Sequence, residues 1–147
     1  MNVIKGRPIV AGKGKGRALV TRSPMNFTAA LTKPRNLIPS RRAEVQDRHH
    51  ELYGTDLNGR VLVFPACIGS TYTGMVLLEI MYRKCAPAAL IVQRADSLLV
   101  SGAVLADVWF GRGTPVVEYP GDDIFDKIKS GDGISVDGAT GDIVIDG

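Results

Sequence analysis

The chain has 147 residues, 45% of them apolar and 22% charged, with a formal charge of +3; that suits one domain spanning 1–147, able to bury roughly two-thirds of its unfolded surface. No stretch reaches the roughly 18 uninterrupted apolar residues of a membrane span, the first residues lack the pattern of a secretory leader, and the two cysteines are too few for a disulfide scaffold, so a reduced, cytoplasmic protein is expected. Basic residues crowd the first third and aspartates the last part of the chain; with Phe27 as its one aromatic, the basic third lacks a base-stacking surface, which argues against nucleic acid as partner.

In chain order, Pro8-Ile9-Val10-Ala11 and Ala18-Leu19-Val20-Thr21 read as two short strands. Between them, Gly12-x-Gly14-x-Gly16 with Lys13 and Lys15 has the look of a phosphate loop. It leads into a strand rather than a helix, so a hairpin turn is predicted instead. From Ser23 to Tyr53 periodicity is poor and Pro24, Pro34 and Pro39 interrupt any helix, which predicts a long irregular connection, functional or mobile. Within it, His49 and His50 are adjacent. They are not spaced to share a metal on one helix face, and are expected to be solvated loop residues.

After the Asn58-Gly59 turn a βαβα series begins. Arg60 to Phe64 is a nearly all-apolar strand, as expected where both faces of a sheet are covered. Ser70 or Thr71 is predicted to cap a helix reaching about Lys84, with Glu79 and Arg83 spaced i,i+4 on its polar side. Ala88 to Val92 is the next buried strand, and Asp96 or Ser97 caps a very apolar helix through about Ala106. Thr114 to Tyr119 is a further strand, followed by a helical turn over 123–129. Ile134-Ser135-Val136 and Ile143-Val144-Ile145 form a hairpin about Asp137-Gly138-Ala139-Thr140-Gly141. Strands without helices flanking a βαβ centre predict an α/β protein of layered β/β/α form.

The chemistry concentrates in the loop Pro65-Ala66-Cys67-Ile68-Gly69-Ser70-Thr71, between an apolar strand and an apolar helix. A helix start offers free N–H groups and partial positive charge, so it can hold a carboxylate or phosphate. A hydroxyl there can bind the anion or, with a lowered pKa, act on it. By residue type alone, Ser70 reads first as a helix cap, and no G-x-S-x-G elbow surrounds it. Cys67 reads first as a small buried side chain, although a thiol beside a helix start can have a lowered pKa and serve as nucleophile or metal ligand. Cys85, at a helix end, reads as core or cap packing.

Gly59-Arg60-Val61-Leu62-Val63-Phe64-Pro65, Gly69-Ser70-Thr71, Val76-Leu77-Leu78-Glu79 and Ala86-Pro87-Ala88 together resemble the aconitase X family, in particular its small subunit or swivel domain. The resemblance continues through Ala95-Asp96-x-Leu98, Gly102-Ala103-x-x-Ala106, Thr114-Pro115-Val116-Val117 and Gly131-Asp132, and back to Gly16-Arg17-Ala18-Leu19-Val20 and Met25-Asn26-Phe27. It implies a swivelling β/β/α domain that works as part of a hydro-lyase with a larger subunit carrying most of the active site and an iron or iron-sulfur centre. It also implies that Ser70 is the base removing a proton beside a carboxylate, that Gly69 and Thr71 shape the anion site, and that Arg35 or another loop cation meets the carboxylate.

The family's reactions are dehydration of cis-3-hydroxy-L-proline and of phosphomevalonate. Two segments depart from the family pattern: Ala29-Ala30-Leu31-Thr32 replaces a glycine-rich segment, and Ala66-Cys67-Ile68 replaces a glycine-rich or basic one. The first favours cis-3-hydroxy-L-proline; the second makes Cys67 a candidate iron ligand. A non-catalytic interaction module of the same fold is the alternative.

Overall fold

The computed structural model describes residues 2–32, 36, 42–69 and 71–146. Eight strands appear in chain order: β1 (Asn2–Lys5), β2 (Arg7–Val10), β3 (Lys13–Val20), β4 (Val61–Phe64), β5 (Ala89–Val92), β6 (Val116–Glu118), β7 (Gly133–Asp137) and β8 (Asp142–Ile145). Among the described residues the helices are α1 (Phe27–Leu31), α2 (Thr73–Tyr82), α3 (Ser97–Phe110) and α4 (Ile124–Lys127).

The strand order is β1-β8-β7-β3-β4-β5-β6-β2. β3 is long enough to serve two partners. Its first half pairs antiparallel with β7, and Ala18, Leu19 and Val20 pair parallel with Val61, Leu62 and Val63 of β4. β4, β5 and β6 are parallel neighbours, while β2 closes the far edge antiparallel to β6. The two ends of the order, β1 and β2, are joined through Gly6, whose N–H donates to the Gly141 carbonyl at 2.8 Å. The sheet therefore curls until its edges meet.

Strand alternation divides the interior into two cores. Val61, Val63, Ala89, Ile91 and Val117 face the β7–β8 hairpin and α4, packing with Ile134, Val136, Ile143 and Phe125. Leu62, Phe64, Leu90, Val92 and Val116 face the opposite side, against α1, α2 and α3. Burial on both faces explains why β4 and β5 carry no polar residue. The β/β/α layering expected from the element order is what the structure has.

The glycines before β3 correct the hairpin expectation. β2 and β3 do not pair with each other, and Gly14 and Gly16 lie inside β3. They are small because other backbone passes close: a Cβ on Gly14 would overlap the Ala88 carbonyl, with the carbonyl carbon at 2.8 Å, and one on Gly16 would meet the Gly59 carbonyl. The 23–53 connection is ordered where it is described. Asn26 caps α1, accepting from Ala29 N–H at 3.0 Å. The buried Asn36 side chain donates to the Glu44 carbonyl at 2.7 Å and accepts from Glu44 N–H at 3.0 Å. His49 is exposed as expected, but His50 is buried and its Nδ1 accepts from Leu52 N–H at 3.0 Å; it is a packed turn residue, not a solvated one.

Candidate functional site

β4, β5 and β6 all end on one edge of the sheet, the carboxyl edge where open α/β sheets bind ligands. Three connections meet there: 65–72 after β4, 93–96 after β5 and 119–123 after β6. The first two are stitched together by Gln93 N–H to the Phe64 carbonyl (3.2 Å) and Arg94 N–H to the Pro65 carbonyl (3.1 Å).

The 65–72 loop is also held from the other side. Met25 N–H donates to the Ala66 carbonyl at 2.9 Å, and Ile68 N–H donates back to the Met25 carbonyl at 3.0 Å, forming a parallel bridge between Met25 and Cys67. Phe27, one residue beyond the α1 cap, packs edge-on against Phe64 with ring centroids 5.7 Å apart. Gly69 follows with φ +96°, a left-handed conformation, and a Cβ there would lie 3.0 Å from the Asn26 amide carbon and closer still to its nitrogen. Glycine is required twice over, by backbone angle and by the Asn26 side chain. Met25-Asn26-Phe27 thus shapes the loop from 40 residues away.

Ser70 and Arg35 lie outside the described residues. Thr71 is exposed, in the turn that precedes α2. The helix starts later than expected: its first residue is Thr73, the cap position is Tyr72, and no side chain caps it. Thr71 is therefore not its cap. The chain spends an extra turn before becoming helical, which leaves Ile68 and Tyr72 exposed around the loop. By contrast Asp96 caps α3 as expected, its carboxylate accepting from Leu99 N–H at 2.9 Å.

Cys67 is the packed small side chain that its residue type first suggests, not the acidic thiol that its place beside a helix start allows. Its side chain is packed against the helical core, and burial, with the Asp96 carboxylate adding to it, pushes the thiol up to about 12. Unfolded thiols ionise near ~8.5, so this group's contribution to stability is complete below that value and declines as pH rises toward 12. Native chain treated with iodoacetamide at pH 8 should stay unmodified at Cys67, while the same chain in urea reacts. Rapid native alkylation, read by peptide mass spectrometry, would contradict this burial.

Beside the loop lies a cleft of about 500 Å³ lined by Pro65, Ala66, Gln93, Arg94, Glu118 and Asp122, with Pro120 at its rim. Glu118 is buried and fully engaged: Arg7 donates to one oxygen at 2.8 Å and Ala95 N–H to the other at 2.8 Å. It anchors the 93–96 connection and so the start of α3. Arg94 is the cation of the lining, and Asp122 accepts from Gln93 Nε2 at 2.7 Å. Sequence reading missed Arg94, Asp122 and Glu118 as site residues. Their signal was position, each lying at or just past the carboxyl end of a parallel strand.

The swivel-domain model of aconitase X matches residues 3–145. The chain is 31% identical over 142 residues to the phosphomevalonate dehydratase small subunit of Thermococcus kodakarensis, covering 97% of this chain and 95% of that one. It is 36% identical over 115 residues to the cis-3-hydroxy-L-proline dehydratase of Pseudomonas aeruginosa; the match takes in 78% of this chain but spans only 19% of that enzyme's length. The crystal structure of Thermococcus kodakaraensis aconitase X in its holo-form superposes with a TM-score of 0.82 at 30% identity, covering 99% of this chain and 98% of the other. With the same fold over its whole described length, and with Gly69 and the Asn26 contact at the loop where the motif lies, the chain belongs to the aconitase X swivel-domain family.

Proposed function

We propose that this chain is the small subunit of a heteromeric aconitase X-type hydro-lyase that dehydrates cis-3-hydroxy-L-proline, with Ser70 as the general base. The observation that supports the substrate is the make-up of the cleft. Among the described residues its lining offers one cation, Arg94, and one carboxylate without a basic partner there, Asp122, since Glu118 is paired with Arg7. A zwitterion places its carboxylate on Arg94 and its ammonium on Asp122. A phosphate and a carboxylate together would face one cation and a repelling aspartate.

In this reading the rigid Gly69 turn sets where the Ser70 hydroxyl sits, and the α2 N-terminus with Arg94 stabilises the charges that develop. Serine removes the proton beside the substrate carboxylate, a carbon–carbon double bond forms, and the hydroxyl on the neighbouring carbon leaves and takes up that proton to give water, which restores the base. An unassisted hydroxyl is too weak a base for that step, so the positive end of α2 and Arg94 lower its pKa. Thr71, exposed beside it, supplies a second hydroxyl toward the anion.

The family's iron centre does not fit this chain by itself. Among the described residues no three His, Cys, Asp or Glu side chains converge on a metal position. In this reading the centre belongs to the large subunit, and the packed Cys67 thiol, held protonated by burial, does not fit the role of a ligand to it. No step is assigned to it.

A second reading, phosphomevalonate as substrate, is favoured by the whole-length match to archaeal small subunits. Steady-state assays of the chain combined with its large subunit separate the two. Cis-3-hydroxy-L-proline is expected to show a kcat/KM about 10-fold or more higher than phosphomevalonate, the scale of one mispaired charge at Arg94 and Asp122, which are exposed in the chain alone. The reverse order would overturn the substrate assignment.

A further inference from the structure

We propose that the outward face of α2 and α3 is the docking surface for the large subunit; this rests on the two-subunit reading above. α3 carries one charged residue, Asp107, and α2 carries one, Glu79. The inner faces are accounted for: Leu99, Gly102, Ala103 and Ala106 of α3 and Val76, Leu77, Ile80 and Met81 of α2 are buried. The helices cross tightly at Gly74 and Gly102, where a Cβ on Gly102 would lie 2.6 Å from the Gly74 carbonyl oxygen. Yet the outer faces are apolar too. Val108 is 70% exposed, Met75 67% and Trp109 61%, with Leu98, Val104 and Leu105 beside them.

A surface helix ordinarily turns charge outward, and a large exposed apolar patch marks an interface. Eight large side chains exposing on the order of 100 Å² each amount to roughly 800 Å², the area one partner contributes to a standard interface. The patch is also preformed. Tyr82 and Phe110 pack at 4.7 Å between centroids, Phe110 meets Trp109 at 6.3 Å, and the Arg112 guanidinium lies 5.5 Å from the Tyr82 ring centre. A groove of about 470 Å³ runs between the helices along Met75, Leu78, Glu79, Tyr82 and Phe110.

Continuity with the site selects the occupant. Ile68 and Tyr72 stand exposed on the site loop, and Met75 follows one turn later on the same side of α2. The apolar surface thus begins at the loop that two subunits must share and extends along α2 for about 15 Å. A second copy of this chain seated here would cover the loop and exclude the large subunit.

The test uses Val108→Asp, with Val3→Asp, 61% exposed against 70%, as an apolar control on β1. Binding of each full chain to the purified large subunit is measured by calorimetry, the mass of each chain alone by light scattering, and folding by thermal melts. Val108→Asp should weaken binding at least 10-fold with an unchanged melt, Val3→Asp should bind as the wild type does, and the chain alone should be monomeric. Unchanged affinity for Val108→Asp overturns the docking surface, as does a wild-type dimer that Val108→Asp splits while still binding the large subunit. If the wild-type chain binds no large subunit, the two-subunit reading itself fails, an outcome distinct from loss of the docking face alone.

Discussion

Ser70→Ala should cut the kcat of the assembled enzyme by about 10³-fold or more, the scale of a lost general base, with little change in KM. On the proposed mechanism the elimination needs a group to take the proton beside the carboxylate, and an alanine there leaves none, while the proposed substrate contacts of Arg94 and Asp122 are untouched. A serine that only capped the helix would behave differently. Its loss would lower stability by about 1 kcal/mol and leave chemistry intact. The cap position of α2 is Tyr72, so the Ser70→Ala melting midpoint should match wild type, where loss of a cap would lower it by about 2–4 °C. Activity within tenfold of wild type, in a folded variant that still binds its partner, would remove Ser70 from the chemistry and leave the interaction-module reading in its place.

Gly14→Ala should be among the most damaging single methyls in the described chain. A Cβ at Gly14 lands on the carbonyl of Ala88, with the carbonyl carbon at 2.8 Å and the Ala89 Cβ at 3.2 Å. Neither side can yield cheaply. Gly14 is paired with Val136 of β7, and Ala88 N–H is bonded to the Arg60 carbonyl at 2.8 Å just before β5. Backbone against backbone in a sheet core costs at the upper end of overpacking, about 3 kcal/mol. Gly54→Ala is the comparison: φ is +84° but the surrounding space is open, so the loss should be near ~1 kcal/mol. Urea midpoints of the two variants measure the difference, and equal midpoints would contradict the close approach.

Much of the fold was legible because its signals are local. β4 and β5 announce burial on both faces by having no polar residue, Asp96 caps α3 where an acidic residue precedes an apolar run, and the β7–β8 hairpin turns on Asp137-Gly138-Ala139-Thr140-Gly141. What the sequence hid is long-range. The glycines of β3 look like a turn until Ala88, before β5, is seen passing Gly14 and Gly59, before β4, passing Gly16. Asn26 and Gly69 form one feature across 43 positions, and α1 is too short to show a period. β1 has only Ile4 buried among its four residues, too little pattern to predict. Thr71 imitates a cap by residue type, but α2 begins only at Thr73. In the site, the loop after β4 stood out by its motif. Arg94 and Asp122 join it only because three strand ends share one edge of the sheet.

The central claim is that the active site is completed by this chain on a partner. The direct measurement is a titration of the purified large subunit with this chain while following water elimination from cis-3-hydroxy-L-proline. The account predicts no activity from either part alone, and a rise that saturates at one small subunit per large one. Full activity of the large subunit alone, or none at any ratio with either family substrate while the two chains are bound, would contradict it.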